Sequence, residues 1–231
     1  MILVKNIYRT SSMILIILFA HSCQKDPGYT GQTGIVNDFD GNTYPTIGIG
    51  SQIWMAENLK TIHYNDGSLI PTVTNDSLWI ALESDAYCWY NNDETKNKTV
   101  YGALYNWYAI NTGKLCPTGW HVSTAAEWET IIKYLGGEKK TGGKLKESGT
   151  SHWYSPNTGA SNSSGFTALP GGARGVNGHF YVMRQYGYWW SSTENMTKDA
   201  WDWLVGWNFS DVGRFNDVKQ QGYSVRCLKD F

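Results

Sequence analysis

Apolar positions in this 231-residue chain form short, unevenly spaced groups rather than long periodic runs. Residues 34–59 carry an alternating apolar pattern on both sides of a polar turn at 38–42, which predicts two strands joined by a hairpin. An Asp-x-Asp-Gly-Asn string fills that turn, but its glycine stands before the third ligand rather than after it, which argues against a calcium loop. The later apolar groups predict four more strands, at 188–192, 200–209, 212–216 and 222–228.

Helical spacing is confined to two short segments. The first has aromatic and apolar residues at positions i, i+3, i+4 and i+7, namely Tyr101, Leu104, Tyr105 and Tyr108. The second begins at Thr124, which can form a capping box with Glu127, because each residue satisfies a backbone N–H of the first turn. An apolar stripe follows at 128–135, and Gly136 is expected to end the helix.

The intervals at 71–98 and 138–187 are polar and rich in residues that form turns. Long irregular loops are predicted there, with one short turn-linked pair of strands around Gly178. The sequence therefore predicts an α+β domain with two short helices, twisted antiparallel strands and long irregular loops.

Residues 1–22 have the parts of a secretory signal. Lys5 and Arg9 precede an apolar run at 13–20, which is too short to cross a bilayer, since a spanning helix needs about 20 residues. The following Ala-His-Ser-Cys string resembles a bacterial lipobox, so we expect Cys23 to be acylated and residues 23–33 to form the anchor and its tether. The alternative is a signal cleaved elsewhere, with Cys23 an ordinary residue.

The residues just after Cys23 suggest where the protein is sent. Gln24-Lys25-Asp26 looks like the export signal of Bacteroidetes lipoproteins, which directs them to the outer face of the outer membrane. We therefore expect an outer membrane lipoprotein exposed at the cell surface.

Composition and net charge exclude some classes of binding partner for this protein. Without Lys5 and Arg9, which lie in the predicted signal, 17 basic and 20 acidic residues remain, a net charge of −3. That balance argues against nucleic acid and against electrostatic binding to a membrane surface. Twelve tryptophans and fifteen tyrosines are unusual for this length, and they indicate large flat apolar surfaces.

Three cysteines follow Cys23, and an exported protein meets an oxidising compartment, so one disulfide is expected. Cys88 and Cys116 lie beside turn-rich segments, whereas Cys227 shares a predicted strand face with Tyr223 and Val225 as a small buried residue. These positions favour a Cys88–Cys116 bridge, with Cys116–Cys227 as the alternative.

Five strings in order carry a resemblance to a known family: QIWMAENLK at 52–60, YGALYNWYA at 101–109, CPTGWHV at 116–122, YWWSSTE at 188–194 and GYSVRCL at 222–228. Together they resemble the Fibrobacter succinogenes major paralogous domain, and the likeness defines a domain at 34–231. The resemblance implies a C-type-lectin-like fold, related to that of the formylglycine-generating enzymes. The family has no settled activity, so the resemblance implies no reaction.

A catalytic set is not evident in the sequence. None of the five histidines is paired at metal-ligand spacing, and there is no nucleophile elbow, phosphate loop or paired-cysteine zinc motif. Formylglycine-generating enzymes use two cysteines close together late in the domain, where this chain has only Cys227. We therefore expect a non-catalytic protein that needs no cofactor; a relative of those enzymes that retains activity is the less favoured alternative.

A ligand-binding surface is predicted on the late strands, where tryptophans stand near polar residues that could bind hydroxyl groups. The predicted ligand residues are Trp201, Trp203, Asn208, Asp211, Arg214 and Asn216. A glycan or a partner or host protein is the expected ligand, and calcium is not predicted because the sugar-binding motifs of animal lectins are absent. Two alternatives stay open: the tryptophans fill the core, or the protein is a structural component of an envelope or pilus-like assembly.

Overall fold

The computed structural model describes residues 29–231, so the predicted signal, Cys23 and residues 24–28 lie outside the described residues. Within that range the chain is α+β, with few, short helices and several antiparallel sheets. The strands are β1 (Tyr29–Asn37), β2 (Thr43–Gly50), β3 (Gln52–Met55), β4 (Tyr87–Cys88), β5 (Leu104–Tyr105), β6 (Trp120–Val122), β7 (Ala173–Arg174), β8 (Phe180–Tyr181), β9 (Tyr186–Met196), β10 (Asp199–Gly206), β11 (Gly213–Val218) and β12 (Cys227–Lys229). The helices are α1 (Asp76–Ile80), α2 (Glu94–Tyr101), α3 (Trp107–Asn111), α4 (Ala125–Tyr134) and α5 (Glu138–Leu145).

Two main sheets organise these strands. One has the order β1-β2-β3-β12-β6, and the other has the order β11-β10-β9; β4-β5 and β7-β8 form small two-stranded pairs. The predicted hairpin at 38–42 is confirmed, since β1 and β2 pair antiparallel across it. The β7-β8 pair confirms the strands predicted around Gly178. Strand β1 begins at Tyr29, so residues 29–32, assigned to the tether, pair with β2.

Helix α4 confirms the predicted capping box. The Thr124 hydroxyl accepts from the N–H of Glu127, whose carboxylate accepts in return from the N–H of Thr124. The helix predicted from Tyr101 to Tyr108 is wrong: α2 ends at Tyr101, β5 follows, and α3 begins at Trp107. Gly102 explains the break, because its φ is +75° and a Cβ there would lie 2.7 Å from the Leu59 carbonyl oxygen.

The expected number of two helices is also wrong, because residues 29–231 alone contain five α-helices. Helix α5 was missed because it contains Gly142 and Gly143, which disfavour a helix when read from propensity alone. Both glycines are needed for packing: a Cβ on Gly142 would lie 2.0 Å from the Asp211 carbonyl oxygen, and one on Gly143 would lie 2.3 Å from that of Gly159.

The disulfide joins Cys116 to Cys227, so the favoured Cys88–Cys116 pairing is wrong and the alternative is correct. Strand β12 places Cys227 opposite Val122 of β6, which brings its Cα within 5.9 Å of that of Cys116. Cys88 is a buried free thiol in β4, in a separate apolar cluster with Trp79 and Leu104. Proximity to turns in the sequence was therefore a poor guide to proximity in space.

The three-stranded sheet lies between two apolar clusters. Trp189 of β9 packs with Trp54 and Trp128 in one cluster, while the adjacent Trp190 packs with Tyr223 in the other. Alternation along a strand sends neighbouring side chains to opposite faces, so both faces of β9 are largely buried.

Four of the five strings that carried the family resemblance meet at Asn58. Its Oδ1 atom accepts from Trp189 Nε1 at 2.9 Å and from Arg226 Nε at 2.7 Å. Its Nδ2 atom donates to the Tyr101 carbonyl at 2.8 Å and to the Ser224 hydroxyl at 3.2 Å. These strings therefore hold the interior together.

Three buried cations fix the irregular loops. Lys146, Arg174 and Arg226 are each at most 1% exposed. The ammonium of Lys146 donates to the carbonyls of three residues, Thr158, Gly206 and Phe209. Arg174 binds backbone carbonyls at 73, 74 and 178, and Arg226 binds those at 55, 166 and 167. Backbone carbonyls that have no partner in a sheet thus accept hydrogen bonds from these buried cations.

Candidate functional site

The predicted ligand residues are divided between the β9–β11 sheet and the connection that joins β10 to β11. Trp201 pairs with Asn216 and Trp203 pairs with Arg214 across β10 and β11, so these four side chains share one face, here termed the tryptophan face. Asn208 and Asp211 are exposed in the connection after β10, whose backbone packs against α5. The structure thus brings four of the six predicted residues together on one face.

The tryptophan face offers less open aromatic surface than the sequence suggested. Trp203 is 2% exposed and stacks on Trp128 at 5.8 Å between ring centroids, so it belongs to the core. Trp201 is half-buried, and the guanidinium of Arg214 lies 4.5 Å from its ring centroid. Arg214 also forms an ion pair with Glu129 of α4. A groove of about 340 Å³ lies beside Arg214 and Trp203.

A second concavity opens near the opposite face of the same sheet. It has a volume of about 400 Å³ and is here termed the tyrosine pocket. It is lined by aromatic, carboxamide and small apolar residues: Ala173, Gly175, Val176, Asn177, Tyr181, Val182, Tyr188, Gln221 and Tyr223. A concave site that combines ring faces with a few polar groups is typical of small-ligand binding.

Two stacked rings, those of Tyr188 and Tyr223, form one wall of the tyrosine pocket. Their centroids are 4.7 Å apart and their planes are within 12° of parallel; the buried Trp190 ring contacts Tyr223 from the core, 4.7 Å away and tilted by 41°. The hydroxyl of Tyr223 donates to the Asp217 carboxylate at 2.6 Å, which fixes the direction of the ring. Burial raises the pKa of Tyr188 to about 12, so this wall is un-ionised at neutral pH.

Asp202 lies on the same sheet face as this stack, directly opposite Trp190. Its side chain is fully buried, and neither carboxyl oxygen has a hydrogen-bond partner among the described residues. Burial, and to a lesser degree the charge of Asp217, raises the pKa of Asp202 to about 8. A buried carboxyl group without partners costs stability, and its presence therefore needs an explanation.

Two further features of the tyrosine pocket are typical of a binding site. The Oε1 atom of Gln221 is buried and has no hydrogen-bond partner among the described residues. Val182 has a φ of +54°, a backbone conformation that is strained for a β-branched residue. Strained backbone and unsatisfied polar atoms concentrate at ligand sites, where the binding function offsets their cost.

Sequence reasoning missed the tyrosine pocket because its lining is scattered along the chain. The lining comes from four separate segments, two of which lie in the interval predicted as irregular loop with one short pair of strands. The one available signal was Asp202, because an acid between two tryptophans of a strand must point away from them. That alternation placed a carboxyl group on the face opposite the predicted site.

Two other kinds of feature are absent from residues 29–231. No group of three or more His, Cys, Asp or Glu side chains there is arranged to hold a metal ion. No helix in the same range is both long and apolar enough to cross a membrane.

Comparison with known proteins decides the family. The profile of the Fibrobacter succinogenes major domain matches residues 47–229. This chain belongs to that family. The match includes the β9–β11 sheet and all residues that line the tyrosine pocket. Neither the curated proteins nor the solved structures that were searched gave a match.

Proposed function

We propose that this member of the Fibrobacter succinogenes major domain family is a non-catalytic recognition lipoprotein that binds a glycan in the tyrosine pocket. Acylated Cys23 anchors it in the outer membrane, and the domain faces outward from the cell. The fold is C-type-lectin-like, a scaffold that presents irregular loops to a ligand. The signal-like residues 1–22 and the Gln-Lys-Asp string after Cys23 support the location.

The composition of the pocket wall carries the proposal. Tyr181 is 42% exposed, so its ring face is available to stack on the C–H face of a sugar. Asn177 and Gln221 provide carboxamides for hydroxyl groups, and the unpartnered Oε1 of Gln221 is an acceptor that a sugar hydroxyl would satisfy. Ring faces beside carboxamides match the alternating apolar and polar surfaces of a saccharide.

The tryptophan face is the competing glycan site. Its polar residues Arg214 and Asn216 are exposed, as the sequence-based hypothesis requires. Against it, Arg214 covers one face of the Trp201 ring and is itself paired with Glu129. A sugar on the tryptophan face would have to displace Arg214 from that ring, whereas the tyrosine pocket needs no such rearrangement to admit a sugar ring.

A glycan array with the purified protein, with and without calcium, tests the function. We expect binding to a defined set of glycans that is competed by free sugar and is independent of calcium. Tyr181→Ala should reduce binding at least tenfold because it removes a stacking surface, whereas Trp201→Ala should leave it unchanged. The reverse pattern would move the site to the tryptophan face. A blank array with folded protein would contradict glycan binding and favour a protein partner or an envelope assembly, which pull-down from outer membranes would identify.

Localisation is tested separately in cells. Labelled fatty acid should be incorporated into the wild-type protein and not into Cys23→Ala. Added protease should digest the protein on intact cells if it faces outward. Incorporation without digestion would keep the anchor and contradict surface exposure.

A further inference from the structure

The side chains that line the tyrosine pocket carry no charge. Among the described residues that form its wall, three are tyrosines, two have carboxamides and the others are glycine or small aliphatic residues. The polar groups that a ligand meets there are therefore carboxamides and phenol hydroxyls, which donate and accept hydrogen bonds as neutral groups.

Arginine side chains lie close in sequence to the lining, but they are engaged elsewhere. Arg174 directly follows a lining residue, and its guanidinium donates to three backbone carbonyls and to the carboxylate of Asp76. Arg184 comes shortly after the lining residue Val182, and its guanidinium lies 5.5 Å from the centroid of the Tyr154 ring. Neither guanidinium is part of the pocket wall.

The other basic side chains on these segments are also paired outside the pocket. The ammonium of Lys219, which precedes the last lining segment, is bound by Glu194 and by the Thr197 carbonyl. The Nδ1 atom of His179, between two lining segments, lies 3.5 Å from the Asp76 carboxylate. A carboxylate that entered the pocket would therefore meet no cationic group on the wall that the described residues form.

An acidic sugar would lose hydration in this pocket without gaining a counter-charge. Burial of an ionised group costs far more than burial of a hydroxyl unless the ion is paired. Proteins that bind carboxylate or sulfate groups use arginine, lysine or the N-terminus of a helix, and the described lining contains none of these. Neutral hydroxyl and C–H groups match the carboxamides and tyrosine rings instead.

We propose that the tyrosine pocket selects an uncharged saccharide residue and rejects uronic acids, sialic acids and sulfated sugars; this inference rests on the glycan-binding function proposed above. The ligand class is a neutral hexose or an N-acetylated amino sugar. Val176 is 43% exposed in the lining, so it is a position at which one added charge should change the selection.

A glycan array that carries neutral glycans beside their sialylated, sulfated and uronic acid counterparts tests this selection with the purified protein. The acidic counterparts should bind at least about tenfold more weakly, because their charge is not compensated in the pocket. A higher salt concentration should leave the binding of neutral glycans unchanged, since no charge pair contributes to it.

Val176→Lys adds an ammonium group to the pocket wall and should strengthen binding of the acidic counterparts about tenfold, with little effect on neutral glycans. Val100→Lys is the matched control, because it adds the same charge at a valine of similar exposure, 38%, that does not line the pocket. The control should leave both classes of glycan unchanged. Equal gains in the two variants would show an effect of net charge and would overturn the role of the pocket wall.

The outcomes separate this inference from the proposed function. If the wild type binds acidic counterparts as tightly as neutral glycans, or more tightly, the selection is overturned while glycan binding stands; this comparison needs no variant to fold. Loss of binding in Trp201→Ala but not in Tyr181→Ala would place the glycan outside the pocket and overturn the inference as well. A blank array with folded protein would instead remove the proposed function itself.

Discussion

The guanidinium of Arg226 donates to the Oδ1 atom of Asn58 over 2.7 Å, across 168 residues of sequence. Asn58 and Arg226 are 5% and 1% exposed, and both belong to strings that identified the family. The contact shows why those strings are recognisable in a sequence whose loops are irregular: they are the points at which distant segments are bonded to each other.

Asn58→Ala should lower the free energy of unfolding by about 3 kcal/mol, because it leaves Arg226 Nε and Trp189 Nε1 buried without an acceptor. Urea unfolding followed by tryptophan fluorescence measures the change. Asn216→Ala is the control, and as an exposed substitution it should stay within about 0.5 kcal/mol of the wild type. Equal effects at both positions would refute the structural role of Asn58.

Removal of the disulfide should be strongly destabilising. The bridge closes a loop of 111 residues, so Cys227→Ser should lower the free energy of unfolding by about 5 kcal/mol in the chain-entropy model. Cys88→Ala, at the free buried thiol, should cost less. Peptide mapping under non-reducing conditions should recover Cys116 linked to Cys227, and a peptide containing linked Cys88 would show the pairing to be wrong.

His121 should make stability depend on pH in the alkaline range. Its Nε2 atom lies 2.9 Å from Glu127 and its Nδ1 atom lies 2.5 Å from Asp230, and these bonds raise its pKa from 6.5 to about 9. The stabilisation is complete below pH 6.5 and is lost as the pH rises through about 9. Urea unfolding across this range should show the loss, and His121→Gln should flatten it. His179→Gln, at an exposed histidine, should keep the wild-type slope.

Asp202 should add a second slope with the same sign at lower pH. Burial raises its pKa from 3.8 to about 8, so between these values the unfolded chain binds fewer protons and stability falls as the pH rises. Asp202→Asn should remove this slope and be more stable than the wild type above pH 8, by roughly a few kcal/mol. Asp199→Asn serves as the control. A wild-type curve that is flat from pH 4 to 8 would contradict the burial of an unpaired carboxyl group.

The two tryptophans of the tryptophan face should behave differently. Trp203→Ala removes a ring that stacks on Trp128 in the core and should cost about 3–5 kcal/mol. Trp201→Ala, at a half-buried ring, should cost less and leave the fold intact. Thermal unfolding of both variants measures the contrast, and equal stability would show that Trp203 is not a core residue.

Local signals in the sequence predicted the parts of the fold that local chemistry determines. The capping box of Thr124 and Glu127, the hairpin at 38–42 and the strands around Gly178 are each specified by a few adjacent residues. The helix assigned to Tyr101–Tyr108 failed because apolar spacing alone does not report the close approach of Leu59 to Gly102. The predictions for α5 and for the disulfide were wrong for the same reason, since each feature depends on a segment that is distant in sequence.

The site was harder to predict than the fold. Alternation along a strand places Trp201 and Trp203 on one face, but it cannot report that Arg214 and Asn216 pair with them or that Trp203 is covered by α4. The tyrosine pocket is assembled from segments up to 50 residues apart, and the features that mark it are a missing hydrogen bond and a strained φ. Neither is a property of the residue types.

The buried side chains of Lys146, Arg174 and Arg226 affect which loop residues of this domain can change in evolution. Each cation donates hydrogen bonds to a few backbone carbonyls, and every residue has a backbone carbonyl whatever its side chain. The loop side chains between those carbonyls can therefore be substituted without loss of the hydrogen bonds that the buried cations make. One scaffold can in this way carry many different surfaces, provided that the three cations are kept.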